Sequence, residues 1–219
     1  MTYEYNSRIH LAEVVLNVKD LASQTTFYHQ VIGLDLLFQK DDQAILGVGG
    51  KALVHLIQTE QMTSVKDSYG LYHLAILLPS QEDLANIFKH IAELGIPLIG
   101  GADHGYSEAL YLEDLEGNGI ELYRDKAVSE WDIREDGRII GVTEELDAQN
   151  IYELGRKLES FVIAPKTRMG HVHLSVKDSR LATKFYQAVF GLQDKYTLPS
   201  ASWIASGTYH HHLAVNEWG

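Results

Sequence analysis

No cysteine occurs in the 219 residues. Disulfides, thiolate-ligated metals and a cysteine nucleophile are therefore excluded. Positive charge is scarce: 18 Lys and Arg stand against 30 Asp and Glu, a formal charge of −12. A chain this acidic, with no basic stripe, is unsuited to nucleic acid or to an anionic membrane surface. Long apolar runs are missing too, so the sequence holds no span for a membrane. The segment Met1 to His10 is polar and does not read as a signal peptide, so a cytoplasmic protein is expected. With 45% apolar and 22% charged residues, the composition excludes disorder, collagen-like repeats and a coiled coil. What the chain does hold is histidine, 11 in all, so a metal would have to be met by nitrogen and oxygen donors.

The second feature present is a repeat. Val14-Val15-Leu16-Asn17-Val18-Lys19-Asp20 matches Val172-His173-Leu174-Ser175-Val176-Lys177-Asp178. Phe27-Tyr28 then matches Phe185-Tyr186, and Gly33-Leu34 matches Gly191-Leu192, all at an offset of 158. Three landmarks in register mark a duplicated unit. The unit reads as strand, helix and three further strands. Residues 12–18 alternate as a half-buried strand. Asp20 can cap a helix that ends near Gly33, and short strands follow near 35–39, 44–48 and 52–58. A weaker copy begins at Gly70, with a strand to Leu78 and a helix opened by Ser80 to Asp83 and closed near Gly95. Its strands are expected near 97–100, 107–112 and 119–123, the last preceded by a Gly117-Asn118-Gly119 turn. A third copy occupies 167–219. The expected organisation is a complete two-module domain at 1–126, a connector at 127–166 with a short helix capped by Asp147, and a single module of an incomplete second domain at 167–219. The spacing calls for a fourth module, so a fragment or a shortened member is expected.

Strand parity sorts the polar residues. Neighbours at i and i+2 share a face. Glu13 lies opposite Val14 and Leu16, and His55 lies opposite Val54 and Leu56. His73 lies opposite Leu74 and Ile76, and Glu121 lies opposite Ile120 and Leu122. The first and last strands of modules one and two thus each offer one polar side chain to the face away from the helix. Four such groups among apolar residues are costly to bury unpaired, and a divalent metal would satisfy all of them.

At these residues the chain resembles the vicinal oxygen chelate superfamily, which contains glyoxalase I, bleomycin-resistance proteins and extradiol ring-cleaving dioxygenases. The resemblance is carried by Gly70-Leu71-Tyr72-His73-Leu74-Ala75, by the segment Asp103 to Leu112, and by Gly117 to Tyr123. It extends to Gly170-His171-Val172-His173-Leu174 and to Tyr209-His210-His211-His212, and it is greatest to two-domain members of the catechol-2,3-dioxygenase type. It implies an α+β fold in which paired βαβββ modules form a curved mixed sheet around a metal cavity. In the dioxygenases the pattern is His, His, Glu on Fe(II) or Mn(II). His73 and Glu121 match the second and third positions, and Glu13 stands where those enzymes carry histidine. His55 then falls at the site of an acid/base histidine beside the metal, and His104 and Tyr111 at groups that hydrogen-bond the substrate. On the glyoxalase pattern, Glu13, His55, His73 and Glu121 would instead form a four-ligand site for Ni(II) or Zn(II) in an isomerase, lyase or thiol transferase. A non-catalytic binding protein is the third reading.

A small-molecule substrate with vicinal oxygens and a homodimer are what the resemblance implies. His171 and His212 align with Glu13 and His55 and are expected to be the remnant of a second site. Trp131 and Trp218 are expected to pack modules together. Gly47-Val48-Gly49-Gly50 reads as a hairpin turn, because no helix follows it.

Overall fold

A computed structural model describes residues 3–60 and 68–218. The outer bounds of the expected domains, Met1 and Gly219, lie outside the described residues. Module one is β1 (Val14–Val18), α1 (Leu21–Gln30), β2 (Asp35–Lys40), β3 (Gln43–Val48) and β4 (Lys51–Gln58). Module two is β5 (Gly70–Leu78), α2 (Gln81–Glu93), β6 (Gly100–Asp103), β7 (Ser107–Glu113) and β8 (Gly119–Asp125). The connector holds β9 (Asp132–Ile133), β10 (Ile139–Ile140), β11 (Glu144–Glu145) and α3 (Ala148–Leu154). Module three is β12 (Arg168–Ser175), α4 (Ser179–Phe190), β13 (Gln193–Leu198), β14 (Ala201–Ala205) and β15 (Leu213–Asn216). The α+β class and the repeated βαβββ unit are thus as the sequence predicts. The strand expected at 97–100 begins instead at Gly100, and the short connector helix follows Asp147 as expected.

Local chemistry explains the helix starts. Asp20 accepts from the Ser23 amide, Ser80 from Asp83, Asp147 from Asn150 and Asp178 from Leu181. Each such cap contributes about 1 kcal/mol by satisfying an amide that the helix cannot. Between β3 and β4, Gly49 and Gly50 take positive φ of 56° and 79°, which makes the tight hairpin turn expected there. Among the described residues, no helix is long and apolar enough to cross a membrane.

The pairing of modules differs from the expected one. Modules one and two do not share a sheet. Module one forms its own four-stranded sheet in the order β1-β4-β3-β2. Module two joins module three in a nine-stranded sheet ordered β11-β6-β7-β8-β5-β12-β15-β14-β13. The seam is β5 against β12, antiparallel, with His73 opposite His173 and Ala75 opposite His171. A strand has two edges: β8 takes one edge of β5 and β12 the other, which leaves none for β1. Within the expected domain at 1–126, the two modules are thus not joined by strand pairing. The hydrogen-bonded sheet runs across the 127–166 connector, because alternation fixes which face of a strand is buried but not which edge partner it takes.

The main core lies between the helices and both sheets. It is built from residues such as Tyr28, Ile32, Leu56, Leu74, Ile87 and Leu122. Trp131 joins Tyr106, Ile139, Ala205 and Tyr209 in a second cluster that ties module two and the connector to module three. Trp218 lies edge-on to Tyr72 of module two at 6.3 Å.

Candidate metal centre

Three ligand-type side chains converge at the β5–β12 seam. His73 comes from β5, Glu121 from β8 and His171 from β12, and all three are buried. His73 Nε2 lies 2.9 Å from Glu121 Oε2, His171 Nε2 lies 3.1 Å from the same oxygen, and the two imidazole nitrogens are 3.4 Å apart. Their strand positions explain the convergence. In the parallel pair β5–β8, Glu121 is opposite Ala75, one step beyond His73. In the antiparallel seam, His171 is opposite that same Ala75. A register shift between Met169 and His171 lets β12 swing its histidine in. Gly170 at that shift must lack a side chain, since a Cβ there would overlap the Tyr123 hydroxyl.

The donor set fits a divalent cation. Metal–ligand bonds of about 2.1 Å put neighbouring ligands roughly 3.0 Å apart in an octahedron and roughly 3.4 Å apart in a tetrahedron. The observed separations of 2.9, 3.1 and 3.4 Å are close to these values. The protonation states fit as well. Burial alone would raise the Glu121 carboxyl, but His171 and His73 outweigh it and hold the group well below the ordinary carboxylate range. Burial, opposed by Glu121, takes the His171 imidazole down to about 4. At neutral pH the site therefore presents a carboxylate and a neutral His171, the forms that bind metal. Two histidines and one carboxylate with positions left open is a donor set suited to non-haem Fe(II).

Module one's residues do not reach this group. Glu13 is exposed beside β1 and lines a separate cavity with Lys51 and Arg168. His55 is half-buried on β4, with Nε2 3.2 Å from Gln43 Oε1. The four-residue set Glu13, His55, His73 and Glu121 is thus split between two sheets, and its first-strand position is supplied by His171. His212 is corrected too. Strand register places His55 opposite Val15 in β4 and Glu121 opposite Ala75 in β8, and the matching residue in β15, opposite His173, is Ala214. His212 precedes β15 and turns to Ser7 and the Ser206 amide. The fourth symmetric position therefore holds a methyl group, and among the described residues the candidate group has three members.

A cavity of about 1020 Å³ opens over the three ligands, lined among others by Tyr72, His104, Tyr111, His173 and His211. His104 and Tyr111 act as a pair, with Nε2 2.7 Å from the phenolic oxygen, while His104 Nδ1 lies 2.8 Å from the Val142 carbonyl oxygen. Burial first, then the Glu121 charge, keeps the Tyr111 phenol protonated. His211, which the sequence reading left without a role, brings its ring centroid to 4.0 Å from that of His171. Its signal was present in the three consecutive histidines, which lie inside the fold and not on a tail.

Residues 10–122 match the model of the Glyoxalase/Bleomycin resistance protein/Dioxygenase superfamily. The catechol-2,3-dioxygenase of Bacillus subtilis (strain 168) is 35% identical over 214 residues, covering 95% of this chain and 75% of that protein. The metallothiol transferase FosB of Staphylococcus haemolyticus (strain JCSC1435) is 23% identical over 112 residues, 50% of this chain and 79% of that protein. Among solved structures, one from Bacillus subtilis subsp. subtilis str. 168 superposes with a TM-score of 0.62 at 12% identity, over 95% of this chain and 63% of that one. Glyoxalase I from Zea mays superposes with a TM-score of 0.59 at 18% identity, over 96% of this chain and 68% of that one. The chain belongs to the Glyoxalase/Bleomycin resistance protein/Dioxygenase superfamily.

Proposed function

We propose that the protein is a metal-dependent ring-cleaving dioxygenase of the extradiol type, acting on a small catechol-like substrate with vicinal oxygens. The observation that carries this reading is the buried His73, Glu121 and His171 set, with Ala214 at the fourth symmetric position. His171 supplies the histidine that Glu13 lacks at the first position of the dioxygenase pattern. The likeness to the Bacillus subtilis catechol-2,3-dioxygenase supports the same reading.

His73, Glu121 and His171 would hold the ion. When bound, Fe(II) or Mn(II) would supply the redox chemistry by which dioxygen reacts with an aromatic diol. The chain's own groups do the rest. Glu121 contributes one negative charge, which leaves the site net positive once a divalent ion is present and so favours an ionised substrate oxygen. His104 Nδ1 donates to the Val142 carbonyl, so the Tyr111 hydroxyl donates to His104 Nε2 and its oxygen stands at the cavity wall as an acceptor for a substrate hydroxyl. His211, buried and neutral, stands where it can take a proton from a substrate hydroxyl. The apolar walls around Leu71, Leu112 and Ile120 exclude water and suit an aromatic ring. In this reading the role first expected of His55 passes to His211.

The test is oxygen uptake by the metal-loaded protein with catechol, with Fe(II) and Mn(II) compared against Zn(II). Uptake that requires Fe(II) or Mn(II) is expected, with a coloured ring-opened product. Metal bound at full occupancy without uptake of oxygen by any of a panel of catechols would overturn the reading. Consumption of a thiol by such a preparation would move it to the transferase class.

A further inference from the structure

We infer that Asp125 and His210 are positioning residues that fix the tautomer of His211, so that His211 Nε2 faces the cavity as a bare acceptor. The use of that nitrogen as a base rests on the function proposed above, but the tautomer itself does not. The argument starts at Asp125, at the end of β8. Its Oδ1 lies 2.8 Å from His210 Nε2, and its Oδ2 accepts from the Tyr5 hydroxyl at 3.1 Å. The Tyr209 hydroxyl approaches Oδ1 at 3.4 Å, with Tyr123 behind it at 2.7 Å. A carboxylate ringed by donors can only accept, so the proton in the first contact sits on His210 Nε2.

Neutral imidazole carries one proton. With that proton on Nε2, His210 Nδ1 is an acceptor. Its partner, 2.7 Å away, is His211 Nδ1. The donor there must be His211, so its single proton is on Nδ1 and its Nε2 carries the lone pair. His211 lines the cavity, and Nδ1 is already committed, so Nε2 is the nitrogen left for a ligand. His210 is held for this task. Its ring stacks on Tyr106 at 4.3 Å and 12°, lies 5.3 Å from Trp131, and is almost wholly buried. Asp125 therefore acts on His211 through a second histidine, as the aspartate of a catalytic triad acts on one directly. The three consecutive histidines thereby divide into separate duties: His210 orients, His211 faces the cavity, and His212 packs against Ser7 and Ser206.

The measurement is nitrogen–proton correlation spectroscopy of the full chain, metal-free, with ¹⁵N-histidine and with His211 identified by the signals lost in His211→Gln. The Nδ1–H form of His211 and the Nε2–H form of His210 are expected. An Nε2–H form of His211 in the unsubstituted chain overturns the inference. In Asp125→Asn the amide can donate to His210, which reverses both tautomers. In the metal-loaded enzyme, kcat should then fall on the order of 100-fold, with KM within about twofold. Tyr5→Phe removes a different donor from the same carboxylate and should leave the His211 tautomer and kcat unchanged. If no catechol is turned over but the spectra are as expected, the proposed reaction fails and the orientation of His211 stands.

Discussion

Glu13 with His55, and His73 with Glu121, occupy the same two positions of the same repeated unit, yet their fates are opposite. Both pairs sit one register step apart on the first and last strands of a module, at Val15 opposite His55 and at Ala75 opposite Glu121. The second pair is buried and converges with His171. The first pair is exposed or half-buried in a separate sheet. What separates them is the free edge of the first strand. β5 has β12 along it, which brings His171 beside His73 and Glu121. Among the described residues β1 has no second strand partner, and Val15 is 52% exposed there. Ligand residues at the right spacing are thus not enough. A neighbouring strand must bring the remaining donor and remove the solvent that would otherwise satisfy each group alone.

The largest expected effect tests that contrast directly. His171→Ala should lower metal affinity by on the order of 1,000-fold or more, beyond the 10- to 100-fold typical of groups that only support a ligand. Metal analysis after dialysis against a weak chelator reads this out. A His171→Ala protein that keeps its metal while Glu13→Gln loses it would reverse the assignment of the two regions.

A second change sharpens the role of the missing fourth ligand. Ala214→Glu places a carboxylate opposite His173, at the position that Glu121 holds in module two. Metal affinity should rise by roughly tenfold and turnover should fall by at least as much, because an open position is filled. Titration with a competing chelator beside a steady-state assay measures both. Unchanged turnover at full occupancy would show that the substrate does not need that position.

Acid should loosen the module-three region before module one. Burial, then the charges of His210 and Arg168, push the His212 imidazole down to about 3. In the unfolded chain it titrates near 6.5, so between 6.5 and 3 the unfolded state binds the extra proton. Its contribution to stability is therefore complete above pH 6.5 and is lost as pH falls toward 3, by about 2 kcal/mol at pH 5. Burial shifts His173 and His211 downward as well. Amide exchange should accelerate in β12–β15 on going from pH 7 to pH 5 once corrected for intrinsic rates, with a smaller change in β1–β4. His212→Gln should flatten the difference.

The smallest expected effects belong to module one. Glu13→Gln should leave metal content unchanged and alter stability by less than about 0.5 kcal/mol, as for most exposed positions. His55→Ala loses only its contact with Gln43 and should cost about 1 kcal/mol, read by denaturant unfolding, again with full metal content.

Much of this protein is set by sequence pattern. The alternation around Leu16, the caps at Asp20, Ser80 and Asp178, and the recurring Phe-Tyr and Gly-Leu pairs specify the βαβββ units, because each depends on groups within one or two turns of chain. Parity also places His73 and Glu121 on the face away from the helix, and the two side chains meet there. The pairing of modules was decided elsewhere. Phe27 and Phe185 hold the same repeat position, yet the first is 4% exposed and the second 59%. The connector runs back over α1, with the Ile163 amide bonded to the Gly33 carbonyl and Phe161 packed at Gly33, while α4 has no such cover among the described residues. In the same way Glu13 and His171 are equivalent by sequence and differ only in which strand lies alongside. Side-chain direction is a property of two or three residues. Edge pairing and burial depend on segments as far apart as residues 73 and 171, so only the assembled chain determines which histidines meet.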